Sequence, residues 1–183
     1  MKTCLVGCGG IAAVHGSVLT SDIDTEFVAA ADIKPKKAQT YAENFHTKPY
    51  PSLESMLEAE KPDVLHICTP HYLHVPMAIY SLERNINVFM EKPPAISFDQ
   101  LEELKKAAAK SETQLGFCYQ NRYNASIRAA KDLIDSGKAG KVLGARAFVT
   151  WCRGAAYYTE SPLSVTPDGV EPDDSYTYSS PFP

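Results

Sequence analysis

No histidine follows His74 and no lysine or arginine follows Arg153 in this chain of 183 residues. Imidazole chemistry is thereby confined to the first half, where His15, His46, His66, His71 and His74 all lie. Residues 154–183 hold five acids (Glu160, Asp168, Glu171, Asp173 and Asp174) and no base, so a formal net charge of -4 leaves +1 on the rest. A chain without a positive excess is not a nucleic-acid binder driven by phosphate neutralisation. No apolar run approaches the ~18 residues of a membrane-spanning helix, so no membrane association is expected. Leu5-Val6-Gly7-Cys8 resembles a lipoprotein cleavage box, but a signal peptide needs an apolar h-region of about 7–15 residues before it, and only a few precede this one. Secretion is not expected. The five cysteines, Cys4, Cys8, Cys68, Cys118 and Cys152, form no C-x-x-C pair and are odd in number. They read as small buried thiols in a reducing compartment, which points to the cytoplasm.

What is present is an ordinary globular composition, 44% hydrophobic and 22% charged. Its organising stretch is Lys2 to Ala12. The apolar run Cys4-Leu5-Val6 leads into Gly7-x-Gly9-x-x-Ala12, and a helix pattern opens at about Gly10. Gly7 permits a tight turn, Gly9 lets the backbone approach a pyrophosphate, and Ala12 is small enough for close helix–strand packing. The first-turn N–H groups around Gly10 and Ile11 then face an anion with the positive end of the helix dipole. The run Glu26 to Asp32 reads as a second buried strand ending in a carboxylate, about twenty residues past the glycine turn. Asp32 can accept hydrogen bonds from the adenosine ribose and would repel a 2′-phosphate, which favours NAD over NADP. Asp32 can also serve as a helix N-cap, because Lys34-Pro35 opens a helix just after it.

Further along, Ala38, Tyr41, Ala42 and Phe45 mark one face of an amphipathic helix. Ser52 caps a short helix carrying Leu53, Met56 and Leu57. Val64–Cys68 is strand-like and stops at Thr69-Pro70. Val75, Ala78, Ile79 and Leu82 mark a helix, and Asn87–Glu91 a strand ending in Glu91-Lys92-Pro93-Pro94. Ser97-x-x-Gln100 is a capping box for the next helix. Gln114–Cys118 is a strand again. Strands alternating with crossover-length helices over residues 1–120 predict an α/β fold with a doubly wound parallel sheet. Ligands of such sheets bind beyond the carboxyl ends of the strands. The strand ends at Gly7–Gly10, Asp32, Thr69-Pro70, Glu91-Lys92-Pro93 and Tyr119–Arg122 therefore converge on one edge.

A helix pattern follows from Arg122 through Ile134, and Val142–Trp151 alternates like a long antiparallel strand. Residues 121–162 read as the opening of a second domain. Residues 163–183, rich in Pro, Ser, Thr and Asp, have little to bury and read as irregular or disordered. Lys92 is the candidate catalytic residue: a lysine at a strand's carboxyl end can exchange a proton with a substrate hydroxyl while hydride moves, if desolvation tunes it. The alternative is a surface lysine paired with Glu91. His66, within an apolar strand, reads as a core histidine. His71 and His74 lack a third ligand, so no metal is expected.

Gly7-x-Gly9-x-x-Ala12, Thr69-Pro70-x-x-x-His74 and Glu91-Lys92-Pro93 together resemble the glucose–fructose oxidoreductase / inositol 2-dehydrogenase (Gfo/Idh/MocA) family. Arg122-Tyr123-Asn124 and Trp151-x-Arg153 with Tyr157-Tyr158 look like it as well. The resemblance spans residues 1 to about 162. It implies a Rossmann domain followed by an α+β substrate domain, and NAD(P)-dependent hydride transfer on a sugar, inositol or related polyol. Lys92 matches the family's catalytic lysine. The implied cofactor-binding residues are Gly7, Gly9, Gly10, Ile11, Ala12, Asp32, Thr69, Pro70, His74, Glu91 and Lys92. The sequence departs from the family in lacking the long second domain, its glycine-rich segment and its Asp-x-x-x-His motif. Two functional readings follow: a truncated, weakly active dehydrogenase, or a non-catalytic dinucleotide-binding module. A shortened second sheet would also leave an open strand edge near Phe148–Trp151, through which copies would associate.

Overall fold

A computed structural model describes residues 1–150. Six parallel strands form the sheet: β1 Lys2–Val6, β2 Glu26–Ala31, β3 Lys48–Tyr50, β4 Val64–Ile67, β5 Asn87–Glu91 and β6 Leu115–Cys118. Their order is β3-β2-β1-β4-β5-β6, so the chain starts in the middle, builds one half outwards, then returns and builds the other. The intervening helices are α1 Gly10–Ser21, α2 Pro35–Phe45, α3 Leu53–Glu60, α4 His74–Leu82 and α5 Phe98–Lys110.

The near-continuous apolar runs of the inner strands are explained by helices on both faces. On one face Cys4, Val6, Ala29, Ala31, Leu65, Ile67, Val88 and Met90 pack with residues of α3, α4 and α5. On the other, Leu5 and Ala30 pack with Ala12, Leu19 and Tyr41 from α1 and α2. The strand period of two therefore sends His66, Phe89 and Glu91 to the α1 side, because Leu65, Ile67, Val88 and Met90 take the opposite face.

Helix α1 lies close on its neighbours. A Cβ on Gly16 would come within 2.5 Å of the Tyr41 hydroxyl and 2.8 Å of the Phe45 ring. Tyr41 also donates its hydroxyl to the Ala12 carbonyl at 2.7 Å. Two serines cap helices as their spacing implies: Ser52 Oγ accepts from Ser55 N–H, and Ser97 Oγ from Gln100 N–H. The reciprocal half of the Ser97 box is displaced, with the Gln100 side chain accepting from Ile96 N–H instead.

After β6 the chain forms a 3₁₀ turn, Gln120–Tyr123, and α6, Ala125–Asp135, all of it exposed. The strand expected over 142–151 is not formed across 142–150, and among the described residues no open sheet edge lies there. Alternation alone cannot hold a strand; it needs a partner to take its backbone hydrogen bonds, and none of the described residues supplies one. Trp151, Arg153, Tyr157, Tyr158 and the tail expected to be irregular from 163 onwards lie outside the described residues. No helix among those described is long and apolar enough to cross a membrane.

Candidate functional site

The carboxyl edge of the sheet begins at the turn between β1 and α1. Gly7 has a φ of +92°, in the region that disfavours side chains, and a Cβ there would lie 2.7 Å from the Cys68 carbonyl and from Thr69 N. The residue is thus required twice, by its own backbone and by the close passage of the chain leaving β4. Gly9 caps α1 at its N-terminus and would meet nothing within 4 Å if given a Cβ; neither would Gly10. The main-chain N–H groups of Gly10 and Ile11 take no backbone acceptor among the described residues. An open cradle with free donors at a helix N-terminus suits a pyrophosphate.

Asp32, half-buried at the end of β2, holds this turn. Its Oδ2 accepts from Cys8 N–H at 2.9 Å and its Oδ1 from Lys34 N–H at 2.8 Å. It is not the N-cap of α2; that position belongs to Lys34. Each carboxylate oxygen keeps a further lone pair for a ribose hydroxyl. Burial and the Asp32 charge push the Cys8 thiol up to about 12, so the cysteine inside the glycine turn is inert.

On the other side of β1, Thr69 and Pro70 follow β4, and Glu91, Lys92 and Pro93 follow β5. His74 joins these two loops. It is fully buried, with Nδ1 at 2.8 Å from the Pro93 carbonyl and Nε2 at 2.9 Å from the Thr69 carbonyl. Two carbonyls need two N–H donors, an arrangement that only the imidazolium satisfies completely. Both nitrogens of His74 are thus engaged in tying the two loops together. The Lys92–Pro93 peptide is cis.

The Glu91 carboxylate does not pair with the Lys92 ammonium, as the surface reading of that lysine required. Glu91 is buried at 4% exposure, and its Oε1 lies 3.0 Å from His15 Nε2. Its Oε2 accepts the main-chain N–H of Lys92 at 3.2 Å. Burial pushes Glu91 up, but hydrogen bonds from His15 and Cys118 outweigh it and leave the group below its usual range. The Lys92 side chain is exposed and has no ion pair among the described residues.

Sequence reasoning missed His15, although its spacing carried the signal. It lies three residues past Ala12 and four before Leu19, on the buried stripe of α1. Its Nδ1 is 3.0 Å from His66 Nδ1. His66 is half-buried against the Phe89 ring, and burial with His15 beside it pushes its pKa down to about 4. His15, Glu91 and Cys118 place one ligand-type atom each within 4.8 Å of one another. His15 and Glu91 already satisfy each other there, and burial, followed by the hydrogen bond to Glu91 and then its charge, raises Cys118 to about 11, which keeps it a thiol.

A sequence profile described as an oxidoreductase family with an NAD-binding Rossmann fold, Gfo/Idh/MocA, matches residues 1–119. The D-glucoside 3-dehydrogenase of Escherichia coli is 28% identical over 144 residues, 78% of this chain and 41% of that protein. The WlbA dehydrogenase of Bordetella pertussis, solved with NADH and UDP-GlcNAcA, is similar with a TM-score of 0.79 and 29% identity, over 88% of this chain and 50% of that one. A myo-inositol 2-dehydrogenase of Lactobacillus plantarum is similar with a TM-score of 0.73 and 26% identity, over 78% of this chain and 43% of that one. The 183 residues thus span about two fifths of the length of the curated relatives they match.

Proposed function

The chain belongs to the Gfo/Idh/MocA oxidoreductase family, whose first domain is an NAD-binding Rossmann fold, and from that premise we propose that it binds NAD along the carboxyl edge of its sheet and serves hydride transfer on a sugar, inositol or related polyol. The observation that carries the reading is the cradle at Gly9 and Gly10, open in front and lined by unpaired N–H groups, with Asp32 to one side and Lys92 to the other. Bound NAD would supply the hydride acceptor.

The chain's own residues fit that group. Gly7 and Gly9 let the backbone approach, and the N–H groups of Gly10 and Ile11 neutralise phosphate charge. Ala12, fully buried, seats the helix that aims them. Asp32 would receive the ribose hydroxyls and repel a 2′-phosphate, so NAD is preferred over NADP. Thr69 and Pro70, set by His74, would border the nicotinamide end. Lys92 Nζ would take the proton from the substrate hydroxyl as hydride leaves the carbon, and return it in the reverse direction. Four free cysteines among the described residues, two of them buried and two half-buried, support a reducing, cytoplasmic setting.

Positioning the substrate carbon about 3–3.5 Å from the nicotinamide can contribute roughly 7–11 kcal/mol to the barrier reduction. That work falls to the family's second domain, and the 183 residues span two fifths of the relatives' length. The polypeptide on its own is therefore expected to bind NAD and turn over slowly. The test is an NADH fluorescence titration followed by NADH production with inositol, glucose and other polyols. Binding with Lys92-dependent turnover supports the dehydrogenase. Binding without turnover by these 183 residues selects the dinucleotide-binding module. Absence of binding refutes both.

A further inference from the structure

Beside the residues used by the proposed chemistry, His66, His15 and Glu91 form a connected set of titratable groups on the α1 side of the sheet. They come from three elements, β4, α1 and β5. The chain of contacts runs from His66 Nδ1 to His15 Nδ1 at 3.0 Å, from His15 Nε2 to Glu91 Oε1 at 3.0 Å, and from Glu91 Oε2 to Lys92 N at 3.2 Å. The His15 side chain is 6% exposed, as is that of Glu91. A carboxylate only accepts, so Nε2 of His15 must carry a proton.

Two nitrogens of the same kind face each other at the other end, and only one of them can hold a hydrogen. When His15 is neutral its Nδ1 is bare, and His66 donates from Nδ1. When His15 is charged its Nδ1 donates, and His66 answers with a bare Nδ1 and a proton on Nε2. The donor to Glu91 is the same in both states. The charged and titratable groups facing this chain are Glu91 from β5, Cys118 from β6 and His66 from β4, with Lys92 beyond Glu91. The Phe89 ring closes the remaining side, 6.0 Å from His15 and 5.1 Å from His66.

We propose that His15 is a positioning residue for Lys92: it fixes the Glu91 carboxylate, and through it the main chain of the lysine, with His66 changing tautomer so that the link survives protonation of His15. The functional sense of this device rests on Lys92 being the catalytic lysine of the proposed reaction. The device itself does not, and it can be read without turnover.

The test is long-range ¹⁵N–¹H NMR of the imidazoles in the 183-residue chain across the titration of His15, together with amide hydrogen exchange at Lys92. His15 Nε2 is expected to stay protonated throughout, while His66 passes from the Nδ1–H to the Nε2–H form as His15 gains charge. His15→Leu is expected to shift the Lys92 amide resonance and speed its exchange by about tenfold or more, the loss of one buried hydrogen bond to a charged group. His15→Gln, whose amide can donate to Glu91 and accept from His66, is expected to restore both. A bare Nε2 on His15 in the unsubstituted chain, a His66 that keeps one tautomer, or a Lys92 amide indifferent to His15→Leu would each overturn the proposal. NADH titration of the unsubstituted chain is the separate arm: lost binding there defeats the dehydrogenase reading while leaving the His15 result standing.

Discussion

Asp32 is bonded to the main chain of Cys8, 2.9 Å from carboxylate oxygen to nitrogen. The acid expected to recognise a ribose therefore also holds the glycine turn to the end of β2. One residue shapes the cradle and reads its contents, so its removal has two effects at once.

Asp32→Ala is expected to weaken NADH binding by about tenfold, to narrow the preference for NAD over NADP, and to cost about 1–3 kcal/mol of stability, because Cys8 and Lys34 lose their acceptor. Parallel NADH and NADPH fluorescence titrations with urea denaturation separate these effects. Asp32→Asn keeps one acceptor oxygen and is expected to fall between. If NADPH binds the unsubstituted chain as tightly as NADH, Asp32 does not discriminate.

Gly7→Ala is expected to be severe for its size. The methyl group would sit 2.7 Å from the backbone of Cys68 and Thr69, and the φ of +92° adds strain of its own. Strained backbone positions cost about 1–3 kcal/mol each, before the clash is counted. Gly10→Ala, where a Cβ meets nothing within 4 Å, is expected to change stability little while reducing NADH affinity. A pair of denaturation curves decides the contrast.

Stability is expected to fall in acid through Glu60. Hydrogen bonds from Lys48 and Tyr50, with Lys2 adding to them, hold its carboxyl down at about 2 against an ordinary value of 4.5. A carboxyl whose folded pKa is depressed contributes fully above the unfolded value, and that contribution drains away as pH falls from about 4.5 towards about 2. Glu60→Gln is expected to lose about 1–3 kcal/mol near neutrality and to show a flatter acid limb. An unchanged acid limb in that variant would assign the pH dependence to other carboxyls.

His74→Phe keeps bulk while abandoning the carbonyls of Thr69 and Pro93. Two buried acceptors without donors are expected to cost about 2–4 kcal/mol together. The loops after β4 and β5 should then exchange amide hydrogens faster, while α2 and α3 keep their rates.

Much of this was legible in the chain itself. The runs at Cys4-Leu5-Val6 and Asn87–Glu91 are short, apolar and followed by turn residues, and both are strands whose carboxyl ends carry polar residues. Gly7, Asp32 and Lys92 could be placed on one edge because parallel strands separated by helices allow no other arrangement. The partners of those residues were not legible. That Glu91 meets His15 depends on which face of β5 its side chain takes, and on how closely α1 lies. Close seating is made possible by Gly16, which reads as nothing in a helical pattern. That Lys34 rather than Asp32 caps α2 is a matter of one residue, below what periodicity resolves. Alternation at 142–150 suggested a strand because a strand's pattern is local, whereas its formation depends on a neighbour.

The order of the sheet has a practical corollary. Residues up to Glu60 build β3, β2 and β1, and residues from Val64 build β4, β5 and β6. The two halves share a single strand seam, β1 against β4, reinforced by the reach of His15 across to Glu91. The adenosine end of the proposed cofactor would rest on the first half and the nicotinamide end on the second. A nick in the exposed link at Lys61 would therefore make two fragments whose reassociation is favoured by the dinucleotide itself, a molecule acting as the rivet between the halves that recognise it.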